Sequence, residues 1–118
     1  MKLEEYQEQS ATTALYPGKG ELIGLSYAVL GLVGEAGELA NQCKKVIRDD
    51  GLKLDVVRRA KMRSELGDVL WYLAAVAREL DISLSEVAEA NLSKLRKRAE
   101  QGTIRGDGED RSPPCRLH

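Results

Sequence analysis

The stretch "GLVGEAGELANQCKKVIRDDG" (residues 31–51) decides how the rest of the chain is read. Its apolar residues recur at intervals of three and four, the period of a helix with one face turned inward. Inside it, "GEAGE" (34–38) sets Glu35 and Glu38 three residues apart, with Gly37 just before the second acid. "ELGD" (65–68) repeats the arrangement with Glu65, Gly67 and Asp68. Acids at i and i+3 repel one another along a helix, and an interior glycine costs about 1 kcal/mol relative to alanine. Two such pairs in one chain call for a compensating reason.

Outward from this stretch, the periodicity predicts an all-α fold of four helices. The first runs from about Leu3 to Leu15 and breaks at "YPGKGE". The second spans Leu22 to Arg48 and stops at "RDDG", with Gly51 as the punctuation. The third runs from Leu54 or Val56 to Leu80. Ser83, with Glu86 three residues on, resembles a capping box and starts the fourth, which continues to about Glu100. Residues 1–100 thus form one helical domain. Residues 101–118, "QGTIRGDGEDRSPPCRLH", are rich in Gly, Pro and charge and predict an extended or partly disordered tail.

On a wheel of about 100° per residue, Ala28, Leu32, Ala36, Leu39, Cys43, Val46 and Ile47 form the apolar arc of the second helix. Leu66, Val69, Leu70, Leu73, Val76, Ala77 and Leu80 form that of the third. Glu35 and Glu65 sit at matching edges of the two arcs, with Glu38 and Asp68 just outside. Antiparallel packing would bring all four carboxylates into one cluster. They cannot share a small space while ionised unless cations neutralise them. Carboxylate oxygens without imidazole or thiolate suit a hard cation, Mg²⁺ or Mn²⁺. Gly37 and Gly67 are expected to let the two helices approach closely there.

Mg²⁺ commonly binds through carboxylates together with substrate phosphates, which points to hydrolysis of a phosphate ester or anhydride. On the fourth helix, "NLSKLRKR" places Asn91, Lys94 and Arg98 on one stripe. The two cations suit phosphate oxygens, and Asn91 can hydrogen-bond a phosphate or a base. Lys45 lies on the Glu38 side of the second helix and is a further phosphate candidate. A basic, solvated helix end would give the same stripe.

The 118 residues carry a formal net charge of -1, which supplies no basic field for sequence-independent nucleic-acid binding. No uninterrupted apolar run reaches the roughly 20 residues of a membrane span. "MKLEEYQEQS" is acidic and polar, unlike a secretion signal. Cys43 and Cys115 form no CxxC pair, and Cys43 reads as a small core residue. The expected location is cytoplasmic.

Together, "GLVGEAGELANQCKKVIRDDG", "ELGDVLWYLAAVARELDISLSEVAEANLSKLRKR" and "GTIRGDGEDR" resemble the MazG-like nucleotide pyrophosphohydrolases over nearly the whole chain. The resemblance implies an all-α, Mg²⁺-dependent enzyme, with Mn²⁺ as a substitute, that cleaves nucleoside triphosphates to monophosphate and pyrophosphate. It also implies a homodimer or homotetramer. Glu35, Glu38, Glu65 and Asp68 would be the catalytic metal ligands, and Asn91 and Lys94 match a segment that contacts substrate. Arg98 is a looser carry-over. Tyr72 lies next to the acidic stripe, where it suits stacking on a base or packing at the rim. Trp71 points elsewhere and suits an interface; with few aromatics the base pocket is expected to be shallow or shared between chains, with Tyr6, Tyr16 and Tyr27 as further candidates for it.

Two other classes remain. A non-catalytic helical module for oligomerisation or nucleotide binding explains the amphipathic helices but not the paired acids beside glycines. A di-iron carboxylate bundle uses Glu-x-x-His, and the only histidine here is His118.

Overall fold

The computed structural model describes residues 1–105. Among them the chain is all-helical: α1 (Leu3–Ser10), a 3₁₀ turn (Ala11–Thr13), α2 (Leu22–Arg48), α3 (Val56–Glu79) and α4 (Leu84–Glu100). They fall into two compact units, Met1–Leu84 and the chain from Ser85 onward.

In the first unit α2 and α3 form an antiparallel hairpin: Gly31 meets Tyr72, while Gln42, further along α2, meets Arg58, further back on α3. Asp55 caps α3 by accepting the Arg58 N–H at 2.7 Å. The Arg58 side chain then ties the loop to both helices. Its Nε donates to Asp50 Oδ2 at 2.8 Å and its Nη1 to Gln42 Oε1 at 2.7 Å. The arginine carries the connection. α1 is pinned by Gln7, whose Nε2 donates to the Ile82 carbonyl at 3.0 Å and whose Oε1 accepts the Leu84 N–H at 2.8 Å. That amide thereby satisfies the first N–H of α4, which starts directly after Ser83.

Small side chains make the core. Ala14, Tyr16, Ala28 and Ala75 form one buried cluster, flanked by Trp71 and Val76. Ala74, Ala77 and Leu84 form another, flanked by Tyr6 and Leu70. Between α2 and α3 the close approach rests on Gly31 instead of the expected Gly37 and Gly67, while Gly24 lets the preceding loop pack on α2. A β-carbon at Gly31 would overlap the Tyr72 ring, and one at Gly24 would collide with the Gly18 carbonyl. Nothing lies within 4 Å of a β-carbon at Gly37 or Gly67.

The expected apolar arcs are only half inside. Ala28 is buried, yet Ala36, Cys43 and Ile47 are exposed, as are Leu66, Leu73 and Leu80. Cys43 is therefore not a core residue. The reason is that α2 is apolar around more of its circumference than α3 can cover. A second seam, Val29, Val33, Ala36, Ala40, Cys43 and Ile47, follows the alternating four- and three-residue spacing of a helix-pairing surface, and Leu22 extends it one heptad earlier. The same excess makes α2 long and apolar enough, by length and composition, to cross a membrane, which the count of uninterrupted apolar runs missed. Its mid-helix Glu35 and Glu38 and its buried Gln42 make a lipid setting costly.

In the second unit α4 ends as anticipated at Glu100. Gly102 (φ 70°) lets Thr103 N–H reach the Arg98 carbonyl at 2.7 Å and Gly102 N–H reach Ala99 at 3.2 Å, a Schellman closure. Residues 101–105 thus include the stop of the helix. The rest of the expected tail lies outside the described residues.

Candidate metal and nucleotide site

Antiparallel pairing brings the α2 and α3 acids together at one level of the hairpin. One carboxylate oxygen from each of Glu35, Glu65 and Asp68 lies within 4.8 Å of the others. Glu35 and Glu65 are half-buried and Asp68 is exposed. Glu38 is exposed and outside this trio, though its charge still reaches Glu35. Burial, followed by the charges of Asp68, Glu65 and Glu38, pushes the Glu35 carboxyl above its ordinary value. Among the described residues none of the four acids forms a salt bridge. Crowded carboxylates without a basic partner fit a hard divalent cation, and the all-oxygen donor set suits Mg²⁺ or Mn²⁺.

Burial and then the Asp68 charge raise the Tyr6 phenol. The Tyr72 phenol is raised by burial first, then by Tyr27, Glu35 and Asp68. Tyr72 follows Asp68 by one turn of α3, as Gly31 precedes Glu35 by one turn of α2. The ring therefore lies beside the acids, and with Trp71 and Thr13 it walls a cleft of about 330 Å³ onto which Glu35 and Asp68 open. A neighbouring hollow of about 210 Å³ shares Thr13, Trp71 and Tyr72 and adds Leu15, Tyr16 and Tyr27. Trp71 Nε1 donates to Thr13 Oγ1 at 2.9 Å, which turns the indole into the site region where the wheel had aimed it elsewhere. Sequence reasoning had no signal for Thr13, because only the 3₁₀ turn places it here.

The remaining expected residues stand as follows. Lys45 is half-buried on α2, seven residues beyond Glu38. On α4, Asn91 is exposed, Lys94 half-buried and Arg98 buried. That unit is separate from the one holding the acids.

An all-α hairpin with clustered acids beside an aromatic cleft defines a class: helical proteins whose crowded carboxylates suit a hard cation next to room for a small ligand. The family model for the MazG nucleotide pyrophosphohydrolase domain matches residues 25–103, and the chain belongs to that family. The chain is similar to the Gene 37 protein of Mycobacterium phage L5, at 46% identity over 114 residues, covering 94% of this chain and 100% of that protein. No solved structure matches.

Proposed function

We propose that the chain is a divalent-cation-dependent nucleoside triphosphate pyrophosphohydrolase, cleaving ribo- or deoxyribonucleotides to monophosphate and pyrophosphate. The observation that carries the reading is the Glu35, Glu65 and Asp68 trio, set within 4.8 Å and without a basic partner among the described residues. Glu35, Glu65 and Asp68 hold Mg²⁺, or Mn²⁺ in its place. A cation there supplies Lewis acidity toward the phosphoryl oxygens. Glu38, outside the trio, orients the attacking water and takes its proton. Water oxygen bonds to the α-phosphorus, the bond to the bridging oxygen breaks, and pyrophosphate leaves. Lys45, Asn91, Lys94 and Arg98 are assigned to the phosphates and sugar, through charge-assisted hydrogen bonds.

The same reading places the activity in the cytoplasm, clearing unwanted nucleotides. It also takes the exposed seam of α2 as the surface on which a second copy of the chain packs, in a dimer or tetramer. A helix face holding Leu22 at 76%, Val33 at 66% and Ile47 at 68% exposure is costly to leave in water.

Product analysis tests the reaction. With Mg²⁺ and a panel of nucleoside triphosphates, the wild type should release monophosphate and pyrophosphate, while Glu38→Gln and Asp68→Asn should lose at least about 10²-fold in rate. Folded protein that turns over no nucleotide would favour a non-catalytic binding module.

A further inference from the structure

Arg78, in the last turn of α3, is a half-buried cation without an anion. Its Nη1 leans on the end of α1, donating to the Gln7 carbonyl at 3.3 Å and to Ser10 Oγ at 3.4 Å. Both contacts are long beside the usual N–H···O distance of about 2.9–3.0 Å. Its Nη2 is buried and has no hydrogen-bond partner, and among the described residues the guanidinium has no ion pair. The carboxylate next to it in sequence is already taken. Glu79 accepts the Tyr16 hydroxyl on one oxygen and the Gly20 N–H on the other. A guanidinium cannot shed its proton to relieve burial, so the missing counter-charge calls for an anion from outside.

Arg78 opens onto a hollow of about 540 Å³, walled further by Glu4, Gln7, Glu8, Ala11 and Ser83. That is room for a small molecule. The hollow lies within the unit Met1–Leu84 and shares no residue with the cleft onto which Glu35 and Asp68 open. Glu4 and Glu8 stand one helical turn apart on α1. Both are exposed, and neither forms a salt bridge among the described residues. Gln7 cannot bridge the charges, because its nitrogen donates to the Ile82 carbonyl and its oxygen accepts the Leu84 N–H. One hollow therefore holds a cation and two anions that do not touch one another.

We propose that this hollow binds a small zwitterion of the amino-acid class, with its carboxylate on Arg78 and its ammonium on Glu4 and Glu8. The planar guanidinium fork matches a carboxylate, and binding turns it so that Nη2 gains a partner. A plain carboxylate is attracted by Arg78 but repelled by the two glutamates. A plain amine meets the reverse, and a ligand carrying both charges satisfies both walls. A doubly charged phosphate is repelled more strongly still, which separates this hollow from the chemistry assigned to Glu35, Glu65 and Asp68.

The test is an NMR titration of the ¹⁵N-labelled full chain, read on the Ala11 amide and, where present, the Arg78 guanidinium N–H. The probes are glycine, 4-aminobutyrate and 6-aminohexanoate, each beside the carboxylate and the amine of equal chain length. At least one zwitterion should move both signals and bind about fivefold or more tighter than either one-ended control. Arg78→Gln should weaken its binding about tenfold or more. Glu4→Gln combined with Glu8→Gln, on an exposed helix face, should bind the zwitterion no better than the plain carboxylate. Circular dichroism checks the fold of each variant, and the glutamate pair alone decides if Arg78→Gln unfolds. The proposal is overturned if no probe moves the signals, or if a one-ended control binds as tightly as its zwitterion. It is equally overturned if either folded variant binds the zwitterion as the wild type does.

Discussion

Gly31 on α2 faces the ring of Tyr72 on α3 so closely that a β-carbon at position 31 would overlap the ring. One turn along each helix from this contact stand Glu35 and Asp68. The contact therefore fixes both the spacing of the hairpin and the wall of the candidate site. Gly31→Ala should cost about 1–3 kcal/mol through overpacking. Gly37→Ala and Gly67→Ala, whose added methyls meet open space, should be neutral or stabilising by up to about 1 kcal/mol. Urea denaturation of the three variants checks the contrast, and equal losses at all three positions would contradict it.

Arg58 should prove the least replaceable residue of the α2–α3 connection. Removing its guanidinium strands Asp50 and the buried Gln42 amide together. Arg58→Ala should move the urea midpoint clearly downward. Arg58→Lys should recover part of that, because an ammonium keeps the charge but cannot fork to both partners. A loss within about 0.5 kcal/mol, the range of ordinary surface changes, would show that the loop does not depend on it.

Glu35 gives the fold a pH dependence of definite sign. Its folded-state carboxyl is held above the ordinary 4.5 by burial and by its acidic neighbours. Stability from this group is complete below the unfolded value and is lost as pH rises through the raised folded value. Without divalent cations, the melting temperature of wild type relative to Glu35→Gln should therefore fall between acid and neutral pH. Added Mg²⁺ or Mn²⁺ should raise the neutral-pH melting temperature of wild type and have much less effect on the variant. A wild-type-to-variant difference that does not change with pH would contradict the crowding of these acids.

The exposed α2 seam makes its own prediction. Val33→Asp places a charge in the middle of the apolar stripe, away from α3. Sedimentation should show a smaller species than the wild type, with helicity retained. An unchanged sedimentation coefficient would show that the second copy packs elsewhere.

Much of this architecture was legible in the residues. Leu22–Arg48 was read at its true ends, because an apolar, periodic run there lies between a Pro/Gly loop and a glycine stop. The start of α3 was read as Leu54 or Val56 and lies at Val56, and the end of α4 was read at Glu100, where it lies. The pairing of acids on neighbouring helices followed from their matched wheel positions. The buried side of α2 did not. A wheel shows where apolar residues lie but not which of two apolar stripes a single neighbour covers, and so Cys43 was placed inside. The glycines were misassigned for a related reason. Gly37 drew attention by standing beside an acid, while Gly31 matters because of Tyr72, a residue 41 positions away. Tyr16, Tyr27 and Tyr72 were singled out in the sequence, but not that they meet, nor that Trp71 and Thr13 join them, since the 3₁₀ turn and the start of α2 bring them together.

The most direct test of the central claim is the fate of isotope from solvent. The protein is incubated with a nucleoside triphosphate and Mg²⁺ in ¹⁸O-labelled water, and the products are separated and weighed by mass spectrometry. Attack at the α-phosphorus predicts one labelled oxygen in the monophosphate and none in the pyrophosphate, with Asp68→Asn forming both products at least about 10²-fold more slowly. Label in pyrophosphate, or release of orthophosphate with a nucleoside diphosphate, would contradict it.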